Sequence, residues 1–148
     1  DGANYELGLE YRFRGLDTLE SIYKVERPDT VIFNMRERSS FDRFNEAALY
    51  FTLIKPTSRY YKSAQIFLDD TDFERGVFKY EVAHRIIELY NKQDTNRKDE
   101  LRDETERLIL MNYSDAAKYF ELIPRHSWYY EKAQEYLNEF LKNPFDPD

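Results

Sequence analysis

Few residues of this chain could do chemistry, and the most suggestive group is Glu81, His84 and Glu88. Spacings of three and four residues place them on one face of a helix, and Glu-x-x-His is the spacing by which helix bundles supply ligands to two metal ions. Such a site needs the motif on two helices together with two further glutamates, whereas here the motif occurs once. The other histidine, His126, lies in a predicted turn. We therefore predict a structural His84 and neither a metal site nor any other cofactor.

A short acidic run is the second candidate for metal binding. It consists of Asp69, Asp70, Asp72 and Glu74. Calcium loops alternate their ligands around a central glycine and close with a distant glutamate, and this run has neither feature. Acidic side chains are favourable at helix N-termini, so the run is interpreted as helix capping.

Catalytic groups are scarce. The chain has no cysteine, which excludes disulfides, thiolate zinc sites and thiol nucleophiles. It also lacks the G-x-S-x-G pattern of hydrolases and any glycine-rich phosphate loop. Because function must be argued from a site, and no site is visible, the chain is predicted not to be an enzyme.

Charge and composition narrow the class of partner. The 148 residues carry a net charge of -7 and are 17% aromatic, a composition that favours a folded domain with a ring-rich core. The acidic balance argues against nucleic acid, whose phosphates need a basic face, and favours a neutral or basic partner. No run of 18 apolar residues occurs, so direct membrane insertion is not expected and a soluble domain is predicted.

The chain contains an internal repeat. Residues 47–70 read AALYFTLIKPTSRYYKSAQIFLDD and residues 116–139 read AAKYFELIPRHSWYYEKAQEYLNE, with 12 identities in 24 positions at a spacing of 69 residues. Repeats at multiples of 20 to 50 residues are typical of arrays in which each unit buries its apolar face against the next. We therefore expect a stacked array whose function belongs to a surface.

Apolar residues recur every three or four positions, which predicts an all-α fold. Breaks are placed at Gly15, Pro28, Pro56, residues 91–96 and Pro124. Residues able to cap helices, such as Thr71 and Ser114, suggest further starts. About nine helices are predicted, near residues 4–14, 16–26, 29–39, 41–54, 58–70, 72–92, 97–111, 113–123 and 127–142. Short connections predict antiparallel neighbours.

The pattern of large and small residues along residues 57–93 resembles that of the tetratricopeptide repeat (TPR) family. Aromatic and small residues alternate on the two predicted helices of this segment, at Tyr60, Ala64, Phe67, Phe73, Gly76, Tyr80 and Ala83. Ser63 and Glu88 depart from the family pattern, where leucine and proline are usual. The resemblance implies one α-solenoid domain of antiparallel helix pairs over residues 1–148. Its units would be residues 1–28, 29–56, 57–93 and 94–124, followed by a terminal solvating helix at 127–142.

Two tyrosine pairs, Tyr60-Tyr61 and Tyr129-Tyr130, recur in both copies of the repeat. Adjacent helical residues cannot both face the same neighbour, so one ring of each pair must point elsewhere. In TPR proteins the first helix of each unit lines a concave groove. The resemblance implies that this groove, with its borders, is formed by Tyr61, Lys62, Gln65, Leu68, Tyr130, Glu131, Gln134 and Leu137. Tyr60 and Tyr129 are then expected in the core, although packing of both rings would explain the repetition equally well.

The resemblance implies a non-catalytic scaffold or adaptor that binds another protein or peptide through its concave face. A self-assembling structural protein is the alternative, and an α-helical enzyme the third. The P-x-S-x-Y-Y-x-x-A spacing from Pro56 to Ala64 also resembles bacterial envelope lipoproteins with TPR units that assemble outer-membrane proteins. That likeness suggests a periplasmic or envelope location and a lipoprotein, while the presence of a leader or lipidation sequence upstream of Asp1 is left open by the sequence. The partner, compartment and oligomeric state are left open by the sequence.

Overall fold

The computed structural model describes residues 1–23 and 30–140, with side chains for residues 1–17 and 40–140. These residues form five α-helices and no strand, which confirms the all-α prediction for this part of the chain. The helices are α1 (Gly2–Tyr23), α2 (Thr30–Thr52), α3 (Tyr61–Asn91), α4 (Thr95–Glu121) and α5 (Tyr130–Phe140). The predicted break at Pro28 and the chain after Phe140 lie outside the described residues.

The prediction of about nine helices is wrong over the described residues, because neighbouring predicted helices are fused. Each of α1 to α4 covers two of them. Thr71 and Ser114, interpreted as residues that start new helices, lie inside α3 and α4. The Thr71 hydroxyl donates to the Phe67 carbonyl at 2.7 Å, and the Asn112 amide donates to the Leu108 carbonyl at 2.8 Å. Side chains that could start a helix satisfy themselves four residues back and leave the helix intact.

The breaks that contain proline or a full capping motif are confirmed. The segments around Pro56 and Pro124 separate α2 from α3 and α4 from α5, because proline cannot continue a helix. Asp94 caps α4, and its side chain accepts a hydrogen bond from the Arg97 amide at 2.8 Å. The acidic run, by contrast, lies inside α3, so its interpretation as a capping segment is wrong.

The fusion of two predicted helices into α3 also changes which residues the TPR-like pattern of large and small side chains packs against. The segment 57–93, predicted to be a helix pair, contains the single helix α3, so its large and small residues cannot pack against each other as two helices would. They pack on other helices instead. The chain divides into two compact units, unit 1 (Asp1–Thr71) and unit 2 (Asp72–Asp148), and α3 contributes its first part to unit 1 and its remainder to unit 2.

Unit 1 is a helical hairpin of α1 and α2 followed by the start of α3. Its contacts run in opposite chain order, since Gly8 lies against Phe51 and Gly15 lies against Phe44. The two helices are therefore antiparallel, as predicted for neighbours. A Cβ at Gly8 would lie 2.6 Å from a carbon of the fully buried Phe51 ring, so any larger residue would have to displace this ring or separate α1 from α2.

Unit 2 repeats this arrangement with the second part of α3, α4 and α5. A Cβ at Gly76 would lie 2.6 Å from the ring of Phe120, which is fully buried like Phe51. Gly76 follows Gly8 by 68 residues, and Phe120 follows Phe51 by 69. The internal repeat therefore extends beyond the matching sequence, with an offset of 68 for α1 and 69 for the residues from α2 onward.

The aromatic cores of the two units also correspond ring by ring. Tyr5 stacks on Tyr60 with ring centroids 5.1 Å apart in unit 1. Phe73 stacks on Tyr129 at 5.0 Å in unit 2. Parallel rings of this kind add to the stability gained by burying their area. Each unit thus builds its core from a helix hairpin and the short helix segment that follows the proline turn.

Candidate binding surfaces

The predicted groove residues follow the same turn in both units. The Ser58 hydroxyl accepts a hydrogen bond from the Tyr60 amide at 3.1 Å, and the Ser127 hydroxyl accepts one from the Tyr129 amide at 3.2 Å. A serine in this position satisfies an amide that the helix leaves without a carbonyl partner. The turn therefore starts α3 and α5 in the same way and fixes which faces their side chains present.

The structure places the two sets of groove residues in separate units. In unit 1, Tyr61 and Leu68 pack against the core around Phe51. In unit 2, Tyr130 and Leu137 pack against the core around Phe120. These four residues are half-buried, as are Gln65 and Gln134, whereas Lys62 and Glu131 are exposed. Each row therefore lies at the edge of its own unit's core.

The expected contrast within the tyrosine pairs is absent. Tyr60 and Tyr129 are half-buried rather than fully buried, in the same class as Tyr61 and Tyr130. All four rings contact their unit's core and keep some surface in water. Tyrosine suits such positions because its ring is apolar and its hydroxyl is polar.

An exposed apolar group near the unit 2 row is missing from the predicted site. Trp128, the residue before the tyrosine pair, is 94% exposed, and Leu122 at the start of the same turn is 60% exposed. The equivalent of Trp128 in unit 1 is Arg59, whose guanidinium lies 4.8 Å from the Tyr60 ring centre. The signal in the sequence was the change from arginine to tryptophan within an otherwise repeated stretch.

Unit 2 also carries a group that we name the acidic aromatic site, formed by Tyr80, Glu81, Tyr113, Tyr136 and Glu139. Tyr80 is its centre. The Tyr80 ring contacts those of Tyr136 and Tyr113, with centroid distances of 4.8 and 5.8 Å. The Tyr80 hydroxyl donates to a carboxylate oxygen of Glu139 at 3.0 Å.

The tyrosine pKa values show that both carboxylates act on the same rings. Burial raises the pKa of Tyr113 to about 12, and the charges of Glu139 and Glu81 add to this rise. Burial also raises the pKa of Tyr136, again with contributions from both glutamates, while Lys132 opposes them. For Tyr80, burial and the hydrogen bond to Glu139 raise the pKa above its usual value. The three phenols are therefore neutral donors at physiological pH.

Unit 1 has an ion pair at the equivalent place. Arg12 precedes Tyr80 by 68 residues and Asp70 precedes Glu139 by 69. The Arg12 guanidinium forms an ion pair with Asp70, which is buried, and lies 5.4 Å from the ring centre of Phe67. The carboxylate and the ring have counterparts in unit 2, in Glu139 and Tyr136, and the arginine does not.

Another residue of the acidic run, Asp72, is also buried and paired with an arginine. It forms an ion pair with Arg75, whose guanidinium lies 4.5 Å from the Tyr119 ring centre. Burial raises the pKa of Asp72, and Arg75 counteracts that rise. Two residues of the run, Asp70 and Asp72, therefore each pair with an arginine that also contacts an aromatic ring.

The metal candidate of the sequence, Glu81, His84 and Glu88, lies on α3. The His84 ring packs against Tyr80, with ring centroids 4.2 Å apart, and against Tyr113 at 6.1 Å. Among the described residues, no three or more His, Asp or Glu side chains are grouped closely enough to hold a metal ion. His84 is therefore part of the aromatic packing of unit 2.

Comparison with known proteins gives no relative. The chain matches no family model, no curated protein and no solved structure. In the part of the chain that the structure describes, no helix combines the length and apolar character needed to cross a membrane.

Proposed function

We propose that this protein is a non-catalytic scaffold or adaptor that binds another protein or peptide through TPR-like helical surfaces. The observation that carries the proposal is the repeated row of tyrosine, glutamine and leucine at the edge of each core. The row comprises Tyr61, Gln65 and Leu68 in unit 1 and Tyr130, Gln134 and Leu137 in unit 2, all half-buried.

The exposed positions between these residues differ between the units, whereas the buried Ala64 corresponds to Ala133. Lys62 corresponds to Glu131 and Ile66 to Glu135, so the duplication left no fixed residue type at the exposed positions beside the row. Tyrosine and glutamine supply apolar area together with hydrogen-bonding groups, the combination found in peptide-binding surfaces. The row is therefore proposed as the contact surface and its neighbours as the source of specificity.

Trp128 supports an interaction role in unit 2. A tryptophan with 94% of its surface in water has an apolar ring that a partner could cover, and tryptophan is the residue type most enriched among binding hot spots. Its place two residues before Tyr130 puts it beside the proposed row in sequence. The weaker resemblance to envelope lipoproteins supports a periplasmic or envelope location, which fractionation of cells expressing the full-length gene would test.

The test is selection of peptides from a random display library on the folded, immobilised chain. We expect enriched peptides whose affinity falls by about tenfold or more in Tyr61→Ala or Tyr130→Ala, the loss of a single hot spot. Glu106→Ala, an exposed change on α4, is the matched control and should bind as the native chain does.

Two results would contradict the proposal. One is a library that yields no peptide above the background of an unrelated helical protein. The other is enriched peptides that bind a Tyr61→Ala, Tyr130→Ala double variant unchanged. Light scattering coupled to gel filtration adds a separate readout, because a concentration-dependent rise in mass that Trp128→Ala abolishes would favour the self-assembling alternative.

A further inference from the structure

Unit 1 contains its own arginine-binding site, and the same place in unit 2 has no arginine. In unit 1 a carboxylate from the start of α3 and an aromatic ring one turn before it hold the guanidinium of Arg12. This combination of an ion pair and a ring contact is among the stronger ways to bind a guanidinium. The pair Asp70 and Phe67 therefore defines what a site of this shape binds.

The acidic aromatic site keeps the carboxylate and the ring at the same two positions, as Glu139 and Tyr136. Tyr80 replaces Arg12 and donates one hydrogen bond to Glu139. A carboxylate can accept about four hydrogen bonds, so this neutral partner neither fills the acceptor capacity of Glu139 nor balances its charge. Glu139 is exposed, and its remaining oxygen positions are accessible from water.

Unit 2 also gains a second carboxylate. Glu81 lies at the position equivalent to Phe13 of unit 1, 68 residues earlier. Its negative charge contributes to the raised pKa values of Tyr113 and Tyr136. Within the described ranges, neither Glu81 nor Glu139 forms an ion pair. Lys132, whose positive charge opposes the rise in the pKa of Tyr136, pairs with Glu135 at 3.2 Å. The unit 2 site thus carries two carboxylates where unit 1 has one carboxylate and one guanidinium.

We propose that the acidic aromatic site binds an arginine side chain of a partner protein, which takes the role that Arg12 has in unit 1. The inference rests on the proposed protein-binding function and names the chemistry of the partner. Glu139 pairs with the guanidinium as Asp70 pairs with that of Arg12, and Tyr136 stands at the position of the ring that Arg12 contacts. Glu81 adds negative charge nearby. Arginine fits better than lysine because its planar group both stacks on rings and donates two parallel hydrogen bonds to a carboxylate.

The experiment is a titration followed by nuclear magnetic resonance, with N-acetyl-arginine methylamide as the probe. The matched control ligand is N-acetyl-citrulline methylamide, which has nearly the same shape without the charge. We expect saturable shifts around Tyr80 and Tyr136 with the arginine probe, and binding of the citrulline probe that is weaker by about tenfold or more, because the charge-assisted bonds are lost.

Three variants locate the effect. Glu139→Gln should weaken arginine binding by about tenfold, while Glu106→Gln, which removes an exposed carboxylate on α4, should leave it unchanged. Tyr80→Arg should abolish probe binding, because it supplies the missing guanidinium from within the chain. The fold of each variant is checked by its amide spectrum, and Glu139→Gln decides the matter if Tyr80→Arg does not fold.

The proposal is overturned if the two probes bind equally, or if Glu106→Gln and Glu139→Gln have the same effect. Its failure is distinguishable from failure of the scaffold function. Library peptides that require Tyr61 or Tyr130 but show no preference for arginine would leave the scaffold standing without this site. Arginine-probe binding without any library peptide would leave this site standing without the scaffold.

Discussion

Unit 1 and unit 2 pack their helices in the same way and differ in the side-chain contacts that surround this packing. Both bring a glycine against a buried phenylalanine and stack a ring on the first tyrosine after the turn. Unit 1 has two further polar contacts. Arg12 pairs with Asp70, and the Ser40 hydroxyl donates a hydrogen bond to the Gly15 carbonyl at 2.8 Å. Duplication therefore fixed the close helix contacts and left the surrounding residues free to change their chemistry.

Unit 2 has apolar and aromatic groups at the same positions. Ile109 replaces Ser40 and Ala83 replaces Gly15, and both are fully buried. Tyr80 replaces Arg12, so an ion pair becomes a hydrogen bond from a neutral phenol to an exposed carboxylate. The same backbone arrangement therefore tolerates either an ion pair or an aromatic contact at this position, and the second leaves the Glu139 carboxylate exposed to water.

The largest expected difference between the units is the loss of unfolding free energy when the contact of Arg12 or of Tyr80 is removed. Arg12→Met should destabilise the protein by about 3 kcal/mol, because it leaves the buried Asp70 carboxylate without its cation. Tyr80→Phe should cost about 1 kcal/mol or less, because Glu139 is exposed and water replaces the lost bond. Urea unfolding followed by circular dichroism measures both. Equal losses would mean that the Arg12–Asp70 ion pair and the Tyr80–Glu139 hydrogen bond contribute equally to stability.

The glycine contacts give the next largest effect, and here the units should agree. Gly8→Ala and Gly76→Ala should each lower the free energy of unfolding by about 1 kcal/mol, because overpacking costs about 1 to 3 kcal/mol and alanine recovers about 1 kcal/mol in helix propensity.

Gly15→Ala is the control for that pair. Its Cβ would lie 2.9 Å from the Phe44 ring, and unit 2 already has Ala83 at the equivalent position. The loss for Gly15→Ala should therefore be smaller than for Gly8→Ala. A larger loss at Gly15 would show that the hydrogen bond from Ser40 to the Gly15 carbonyl requires a residue without a side chain at position 15.

The last expected effect is a dependence on alkaline pH, which we assign to Tyr113 in unit 2. The pKa of Tyr113 is raised from 10.0 to about 12 in the folded protein, so the folded state favours the neutral phenol. The stability this contributes is complete below about pH 10 and is lost as the pH rises toward 12. Urea midpoints between pH 9 and 11 should fall less steeply in Tyr113→Phe than in the native chain. Parallel slopes would exclude Tyr113 as the source.

Much of this arrangement is readable from the sequence, and the parts that are not have physical causes. The repeat, the helical class and the proline turns follow from residue spacing and from proline's missing amide. The fused helices do not, because Thr71 and Asn112 have side chains that can either cap a helix or bond within it, and only their burial decides between the two. The correspondence of Arg12 with Tyr80 was hidden because its offset is one residue shorter than that of the matching stretch.

Trp128 has a practical consequence for anyone who studies this chain in solution. It is the single tryptophan among 13 tyrosines, and it lies in water rather than in the core. Its fluorescence should therefore change little when the protein unfolds, whereas near-ultraviolet dichroism from the packed tyrosines should report the loss of structure. The same exposure makes its emission a built-in optical reporter for a ligand that covers the turn before α5.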